Sequence, residues 1–332
     1  MKILVYEYVT GGGMAGSPLP PRLAHEADLI VRALVNDLGE LPGIEVLVAR
    51  DPRLPPLAGP RVIEPLRDQD GFSHFLRAAR QADAVWPTAP ESAGTLLRLV
   101  RSTLDLGRRL LGSDIAATEI ASSKRRTAQV LASTGLPVVP TAATPEEVDH
   151  VPGRWVVKPD DGAGCEGLIL LDGWAAAQDR LRGAEGRLVA QPWMAGESRS
   201  LSLLCRNGDA LLLACNRQEI VIGHDGVATL AALEVNRFGD PDGSLAELAR
   251  GIARVLPGLW GYVGVDYLET SAGPVVLEIN PRLTTSCAGL RPALGLNLAS
   301  LVLALDSPGP LAVRGRLLTG EPYRIDLELR DG

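Results

Sequence analysis

Gly261-Tyr-Val-Gly-Val-Asp266-Tyr-Leu-Glu-Thr270, then Ser-Ala-Gly-Pro274, then Val275-Val-Leu-Glu278-Ile-Asn280-Pro-Arg282 reads as a β-hairpin. Both arms are rich in β-branched and aromatic residues, and the four-residue connection holds Gly and Pro. Side chains alternate faces along a strand. Tyr262, Gly264, Asp266 and Leu268 therefore share one face, and Val276, Glu278 and Asn280 share one face of the other arm. A hairpin centred near Ala272 sets Asp266 opposite Glu278. Two carboxylates and an amide oxygen then meet on an otherwise apolar ribbon, and unpaired buried carboxylates are costly. A divalent cation offsets that cost. An oxygen-only set without His or Cys suits Mg²⁺, which keeps few protein ligands and completes its shell from substrate phosphates. The competing reading is a strand end with its carboxylates in water, but Val, Leu and Ile bracket Glu278 too closely for an exposed edge.

Upstream of the hairpin, strands alternate with helices. Residues 2–8 form a strand, and 22–38 a helix with Leu23, Ala27, Ile30, Leu34 and Leu38 on one face. A strand at 44–49, a loop with five prolines between 52 and 65, a helix near 70–81, a strand at 83–86 and a helix at 91–106 follow. That order implies a parallel, doubly wound sheet up to about residue 112. Ser113 to Thr134 reads as one helix with Lys124 at its centre, and 135–141 is extended. Beyond 154 the strands are short and hairpin-like (154–158, 168–171, 188–191), and they continue at 200–206, 210–216 and 219–222. A helix at 244–256 leads into the hairpin, and 323–329 alternates like an edge strand. The expected organisation is an α/β domain over 1–112, then an α+β region divided into 113–190 and 191–332.

With 332 residues, 46% apolar and 22% charged, the chain can bury the cores of two or three domains. No run approaches the roughly 18 apolar residues of a membrane span, and the opening residues lack the h-region and cleavage site of a signal peptide. The net charge of −7 argues against general nucleic-acid binding. Cys165, Cys205, Cys215 and Cys287 form no CxxC pair, so a reducing cytoplasm is the expected setting. Of 33 basic residues three are lysines, Lys2, Lys124 and Lys158, which leaves 30 arginines. This chain uses arginine wherever arginine suffices. Lys124 and Lys158 therefore mark places that need a compact ammonium on a slim stem.

The pattern G-x-G-x-x-G occurs twice. Gly11-Gly12-Gly13-Met-Ala-Gly16 follows a strand, as the turn of an NAD-dependent oxidoreductase does. Ser17-Pro-Leu-Pro-Pro21 intervenes before the helix, so no helix N-terminus meets the glycines, and Asp51 lies too far on to hold a ribose. Gly162-Ala163-Gly164-Cys-Glu-Gly167 lies between two apolar strands with Lys158 at its root. It reads as a flap whose bare N–H groups can close over phosphates. The lysine precedes the loop and no His-Arg-Asp follows, unlike a protein kinase, and no Gly-Lys-Ser/Thr marks a P-loop.

Taken together, Lys124, Lys158-Pro-Asp-Asp-Gly-Ala-Gly164, Gln191-Pro-Trp-Met-Ala-Gly-Glu197, Asp266 and Glu278-Ile-Asn280-Pro-Arg282 resemble the ATP-grasp superfamily over roughly residues 1–305. The resemblance implies an N-terminal α/β domain and two α+β lobes that clamp ATP. It makes Lys124 and Lys158 the phosphate-binding lysines, and Gly162, Ala163 and Gly164 part of the covering loop. Gln191, Pro192, Trp193 and Met194 become the adenine-facing link, with Gln191 where Glu is commoner, and Glu197 a candidate for the ribose. Asp266, Glu278 and Asn280 become ligands of two Mg²⁺ ions, for which Mn²⁺ can substitute. Some relatives carry an arginine two residues before the first metal ligand. Here that position is Gly264, so Arg282 or Arg217 must supply the charge on the transferring phosphoryl group. The activity implied is ADP-forming ligation of a carboxylate to an amine through an acyl phosphate.

Val5-Tyr6-Glu7-Tyr8-Val9-Thr10-Gly-Gly-Gly13 looks most like a narrower group, the tyramine–glutamate ligases of methanofuran-type and methylofuran cofactor synthesis. That likeness makes Glu7, Tyr8, Gly11, Gly12 and Gly13 candidates for substrate contact, with an amino acid and an amine as partners. A homodimer is compatible with it. The alternatives are another amino-acid or polyglutamate ligase of the same superfamily, the NAD-dependent oxidoreductase, and a non-catalytic nucleotide sensor.

Overall fold

The computed structural model describes residues 1–66, 69–147, 152–164, 167–223, 227–309, 311 and 320–327. Cys165 and Glu166 of the expected flap, His150, His224, and the end of the expected 323–329 strand lie outside them.

A five-stranded parallel sheet opens the chain. Its strands are β1 (Lys2–Glu7), β2 (Glu45–Ala49), β3 (Arg61–Ile63), β4 (Ala84–Thr88) and β5 (Arg109–Leu110), in the order β3-β2-β1-β4-β5. Helices α1 (Pro21–Gly39), α2 (Gly71–Ala79) and α3 (Thr95–Asp105) cover it, as continuous apolar parallel strands require. Proline at the first position of α1 suits a helix start, since its missing N–H has no partner there anyway. Ala27, Ile30, Leu34 and Leu38 are buried as the periodicity requires, but Leu23, in the first turn, is exposed. The expected helix from 91 begins at Thr95, after a tight turn in which Ala93 takes a left-handed conformation (φ 53°).

The expected helix over 113–134 is two helices, α4 (Ile115–Ala121) and α5 (Lys124–Ser133). Ser123 breaks it by accepting from the Arg126 backbone N–H, because a serine side chain competes for helical N–H groups and caps instead of continuing. Lys124 thus becomes the first residue of a helix rather than the middle of one.

A small antiparallel sheet follows, β7 (Ile169–Leu171) beside β6 (Trp155–Pro159) beside β8 (Leu188–Pro192), backed by α6 (Trp174–Arg182). Trp155 and Trp174 pack at 4.2 Å between ring centroids and centre its core. The larger sheet is antiparallel and six-stranded. Its strands are β9 (Glu197–Arg206), β10 (Asp209–Ile222), β11 (Ala228–Phe238), β12 (Gly261–Thr270), β13 (Gly273–Asn280) and β14 (Tyr323–Asp326), in the order β13-β12-β9-β10-β11-β14. Residues 210–222 are one strand rather than two, and β11 has no counterpart among the expected elements. β14 is an edge strand, as its alternation predicts. Helix α7 (Ser244–Val255) lays Leu245, Leu248, Ala249 and Ile252 against the back of this sheet.

The last helices, α8 (Cys287–Leu294) and α9 (Leu298–Leu303), pack on α1. Asp37 of α1 accepts from Arg291 and from the Leu298 backbone N–H, and Ile3, Leu34, Leu213, Tyr262, Leu290 and Val302 share one core. The parallel sheet is thereby fixed against the large sheet, with its carboxyl-end loops turned toward the hairpin.

Candidate active site

The hairpin closes one residue earlier than one centred on Ala272, with Thr270 opposite Gly273. Carried forward, that turn would put Asp266 opposite Leu277. A bulge between Asp266 and Tyr267 corrects the register, and Asp266 lies opposite Glu278, with Gly264 opposite Asn280. The same bulge moves Val276 to the other face. It pairs with Tyr267 and joins the core against α7, while Leu277 takes its place beside Asp266 and Glu278.

Lys124 Nζ lies 3.1 Å and Lys158 Nζ 4.0 Å from Glu278 Oε2, all three side chains buried. Asp266 accepts from Gln218 Nε2 at 2.9 Å and from Asn280 Nδ2 at 3.1 Å. Burial, and then the charge of Glu278, push the Asp266 carboxyl up to about 7. Burial acts the same way on Glu278, but the two ammoniums outweigh it and hold that carboxyl below its usual range. A carboxyl raised by burial and by a second carboxylate is one that a dication would return to its charged form. Glu278 Oε2 is buried with the Lys124 ammonium as its ion-pair partner, but among the described residues it accepts no hydrogen bond of good geometry. With only oxygen donors present, the residues fit a hard divalent cation.

Lys158, Gln218, Asp266 and Glu278 form one end of a cleft of about 320 Å³ between the two antiparallel sheets, a volume in the small-ligand range, and Lys124 and Asn280 line a small pocket that shares Glu278 with it. Gln191, Pro192, Trp193 and Met194 line its other end, and Val156, Leu168, Ile220, Leu230 and Leu268 give it apolar walls. Gly164 (φ 60°) borders it, and Lys124 Nζ donates to the Gly162 carbonyl. Ala163 lies between them in the chain. The root of the flap is held from two sides. Asp160 accepts from Ser123 Oγ at 2.6 Å and from the Arg125 N–H at 2.8 Å, and Asp161 accepts from the Ala93 N–H at 2.7 Å.

Arg282 is mostly buried and bound by both oxygens of Glu91, each at 2.9 Å, with Asn280 Oδ1 at 3.4 Å. Glu91 raises its pKa against the cost of burial. Arg217 and Glu197 are not brought to the cleft. Gln218 and Ser198 face it and bond each other at 2.9 Å, so their strand neighbours Arg217 and Glu197 point to the opposite face. There Arg217 Nε pairs with Glu197 Oε1 at 3.1 Å, and Arg199 pairs with Glu197 and Glu269. An arginine at Gly264 has no room, because a Cβ there would stand 2.7 Å from Thr284 Cγ2.

The N-terminal loop is folded on itself. Glu7 accepts from the Val9 and Thr10 N–H groups at 3.1 and 2.7 Å and from Thr10 Oγ1 at 2.8 Å, and its burial raises its pKa. Both its oxygens are therefore engaged within the loop. A Cβ on Gly11 would meet the Glu7 carbonyl at 2.6 Å, and one on Gly13 the Tyr8 ring at 2.3 Å. These glycines, with Gly12 (φ 88°), permit close approach of the loop to itself. Tyr8 and Gly13 are left partly open. No helix N-terminus stands at the loop, since α1 starts at Pro21, and the dinucleotide turn is absent.

Glu91 and Gln218 were not legible in the sequence. Glu91 lies 191 residues from its partner Arg282 and carries no local signal. Gln218 would have followed from pairing β10 with β9, had the register been known.

The ATP-grasp domain family matches residues 121–286, and the pre-ATP-grasp domain family matches 44–118. Comparison with curated proteins gives no match. Among solved structures, an ATP-grasp superfamily protein from Archaeoglobus fulgidus is 22% identical, with 99% of this chain and 100% of that one covered and a TM-score of 0.72. The L-amino acid ligase of Bacillus licheniformis is 16% identical, with 92% and 74% covered and a TM-score of 0.61. The biotin carboxylase domain of Hydrogenobacter thermophilus 2-oxoglutarate carboxylase, in complex with MgADP and bicarbonate, is 14% identical, with 95% and 71% covered and a TM-score of 0.69. The family match spans half of the chain and contains both lysines, the cleft and the hairpin of Asp266 and Glu278, and the chain belongs to the ATP-grasp family.

Proposed function

We propose that this chain is an ADP-forming carboxylate–amine ligase that works through an acyl phosphate, with 1–112, 113–190 and 191–332 as its working units. The observation that carries the reading is the meeting of Asp266, Glu278 and Lys158 at one end of a nucleotide-sized cleft, with the Lys124 ammonium 3.1 Å from Glu278. Asp266, Glu278 and Asn280 would hold Mg²⁺. When bound, the metal withdraws charge from the transferring phosphoryl oxygens.

Lys124 and Lys158 orient the nucleotide's phosphates, and they already stand in a buried setting where their charge is weakly screened. Lys124 also ties the flap's Gly162 carbonyl to the hairpin, so one ammonium links the phosphate site to its cover. The substrate carboxylate attacks the γ-phosphorus and ADP leaves. Arg282, held rigid by Glu91, stabilises the charge that develops on the phosphoryl group and on the acyl phosphate. The amine then attacks the acyl carbon and phosphate leaves. The flap keeps water from the intermediate.

For substrates we propose glutamate and tyramine, as in methanofuran-type cofactor synthesis. The loop sequence Val5–Gly13 supports this choice, and within it the partly open Tyr8 ring would be the one to stack on a phenol. The similarity to an L-amino acid ligase supports ligation of an amino acid more generally, and another amino-acid ligase of the family is the second reading. Incubation with ATP, Mg²⁺, glutamate and tyramine, followed by ADP assay, tests the choice. Tyramine-dependent ADP release is expected. ADP release that ignores tyramine but follows another amine would favour the second reading.

A further inference from the structure

Gln191 lines the far end of the cleft and is almost fully buried. Its Nε2 donates to Thr141 Oγ1 at 2.9 Å, and Thr141 Oγ1 donates to the Val139 carbonyl at 3.0 Å. A hydroxyl has one proton to give. Val139 is 1% exposed, and among the described residues its carbonyl has no other donor. Withdrawing the proton would leave a buried acceptor unpaired, which is expensive. Thr141 Oγ1 can therefore only accept from Gln191, and this settles which end of the amide is which. Nε2 is held by Thr141. Oε1 has no protein partner among the described residues and is not sealed in the interior, so it is the end left to a ligand in the cleft.

We propose that Thr141 is a positioning residue that sets purine selectivity. It holds Gln191 with its acceptor toward the base, so that the cleft takes a 6-amino purine and rejects a 6-keto purine. This rests on the nucleotide reading above. A carboxylate at position 191 is an acceptor at both ends and needs no such partner. A glutamine turned over presents a donor, which is the match for a 6-keto group.

The test measures dissociation constants of ATP and of inosine triphosphate by calorimetry with Mg²⁺, alongside thermal melts. The wild-type protein is expected to prefer ATP by roughly ten- to a hundredfold, the range for one buried polar mismatch. In Thr141→Val the ratio falls toward one, with inosine triphosphate gaining. Adding Gln191→Glu to Thr141→Val restores the preference for ATP. If Thr141→Val fails to fold, Gln191→Leu, which removes both ends of the amide, is expected to bring the ratio toward one. An unchanged ratio in a folded Thr141→Val or Gln191→Leu protein overturns the proposal. So does loss of both affinities by the same factor, which is what a purely structural role gives. Wild-type protein that binds neither nucleotide overturns the nucleotide reading and this proposal together.

Discussion

Removing Glu91 tests the coupling between the parallel sheet and the hairpin. Glu91 stands in the turn after β4 and Arg282 just beyond β13. The pair makes two parallel N–H···O bonds of 2.9 Å with side chains 5% and 12% exposed. Glu91→Ala leaves a buried guanidinium with the Leu283 carbonyl at 3.1 Å and Asn280 Oδ1 at 3.4 Å as its remaining close acceptors. Breaking a buried pair from one side costs about 3–5 kcal/mol. Glu91→Gln keeps one acceptor and gives up the charge, and is expected to cost about half as much, in line with ~1.5–3 kcal/mol for a charge-assisted bond. Urea denaturation of both variants, of Arg282→Met, and of each Glu91 variant combined with Arg282→Met gives the pairwise term. That term is expected to exceed roughly 2 kcal/mol, because methionine no longer needs the carboxylate. In turnover assays Glu91→Gln is expected to lower kcat while the KM for ATP holds within about threefold, since the base and the lysines are untouched. A coupling energy near zero, or a KM change matching the fall in kcat, would refute the claim that Glu91 acts by holding Arg282.

Glu278→Gln removes the anion between Asp266 and the two ammoniums, and is expected to lower turnover by at least about a hundredfold with an unchanged circular-dichroism spectrum; near-native kcat would remove its proposed ligand role. Lys158→Met is expected to weaken ATP binding, and Lys158→Arg to impair activity as well, because a planar fork does not fit a cleft built around an ammonium; calorimetry with ATP reads the first and an ADP assay the second. His74 is fully buried and held down to about 4, first by burial and then by Arg77. Its folded value lies below its unfolded one, so its contribution to stability is full above the unfolded value of 6.5 and is lost as the pH falls toward 4, with a slope of at most about 1.4 kcal/mol for each pH step of one. Gln in its place is expected to flatten that limb in urea titrations across this window, and an unchanged slope counts against the assignment. Gly264→Ala sets a methyl 2.7 Å from Thr284 Cγ2 and is expected to cost about 1–3 kcal/mol, largely recovered by adding Thr284→Ser; thermal melts of the single and double variants decide it.

The chemistry of the hairpin was readable because its information is local. Strand alternation and the choice of residues at 266, 278 and 280 are fixed by the covalent chain. The scarcity of lysine singled out Lys124 and Lys158, and both stand at Glu278. The pairing of Asp266 with Glu278 came from two offsetting departures, an earlier turn and a bulge at Leu277, and only the second left its trace, in Val276 facing the core. Arg217 and Glu197 show the opposite case. Each is of a plausible residue type near the right segment, but strand parity turns both away from the cleft, and parity depends on a register that is settled by neighbouring strands.

By itself, then, the sequence determined the alternation of strands and helices, the oxygen-only donor set and the two ammoniums, because hydrophobic period, turn residues and side-chain chemistry act over a few positions. Tertiary structure alone decided that Glu91 grips Arg282 across 191 residues, that Asp160 and Asp161 fasten the flap to two different elements, and that Glu7 turns its carboxylate into its own loop. Each of these is a polar group removed from water, and its partner was chosen by which chain segments the core brought together.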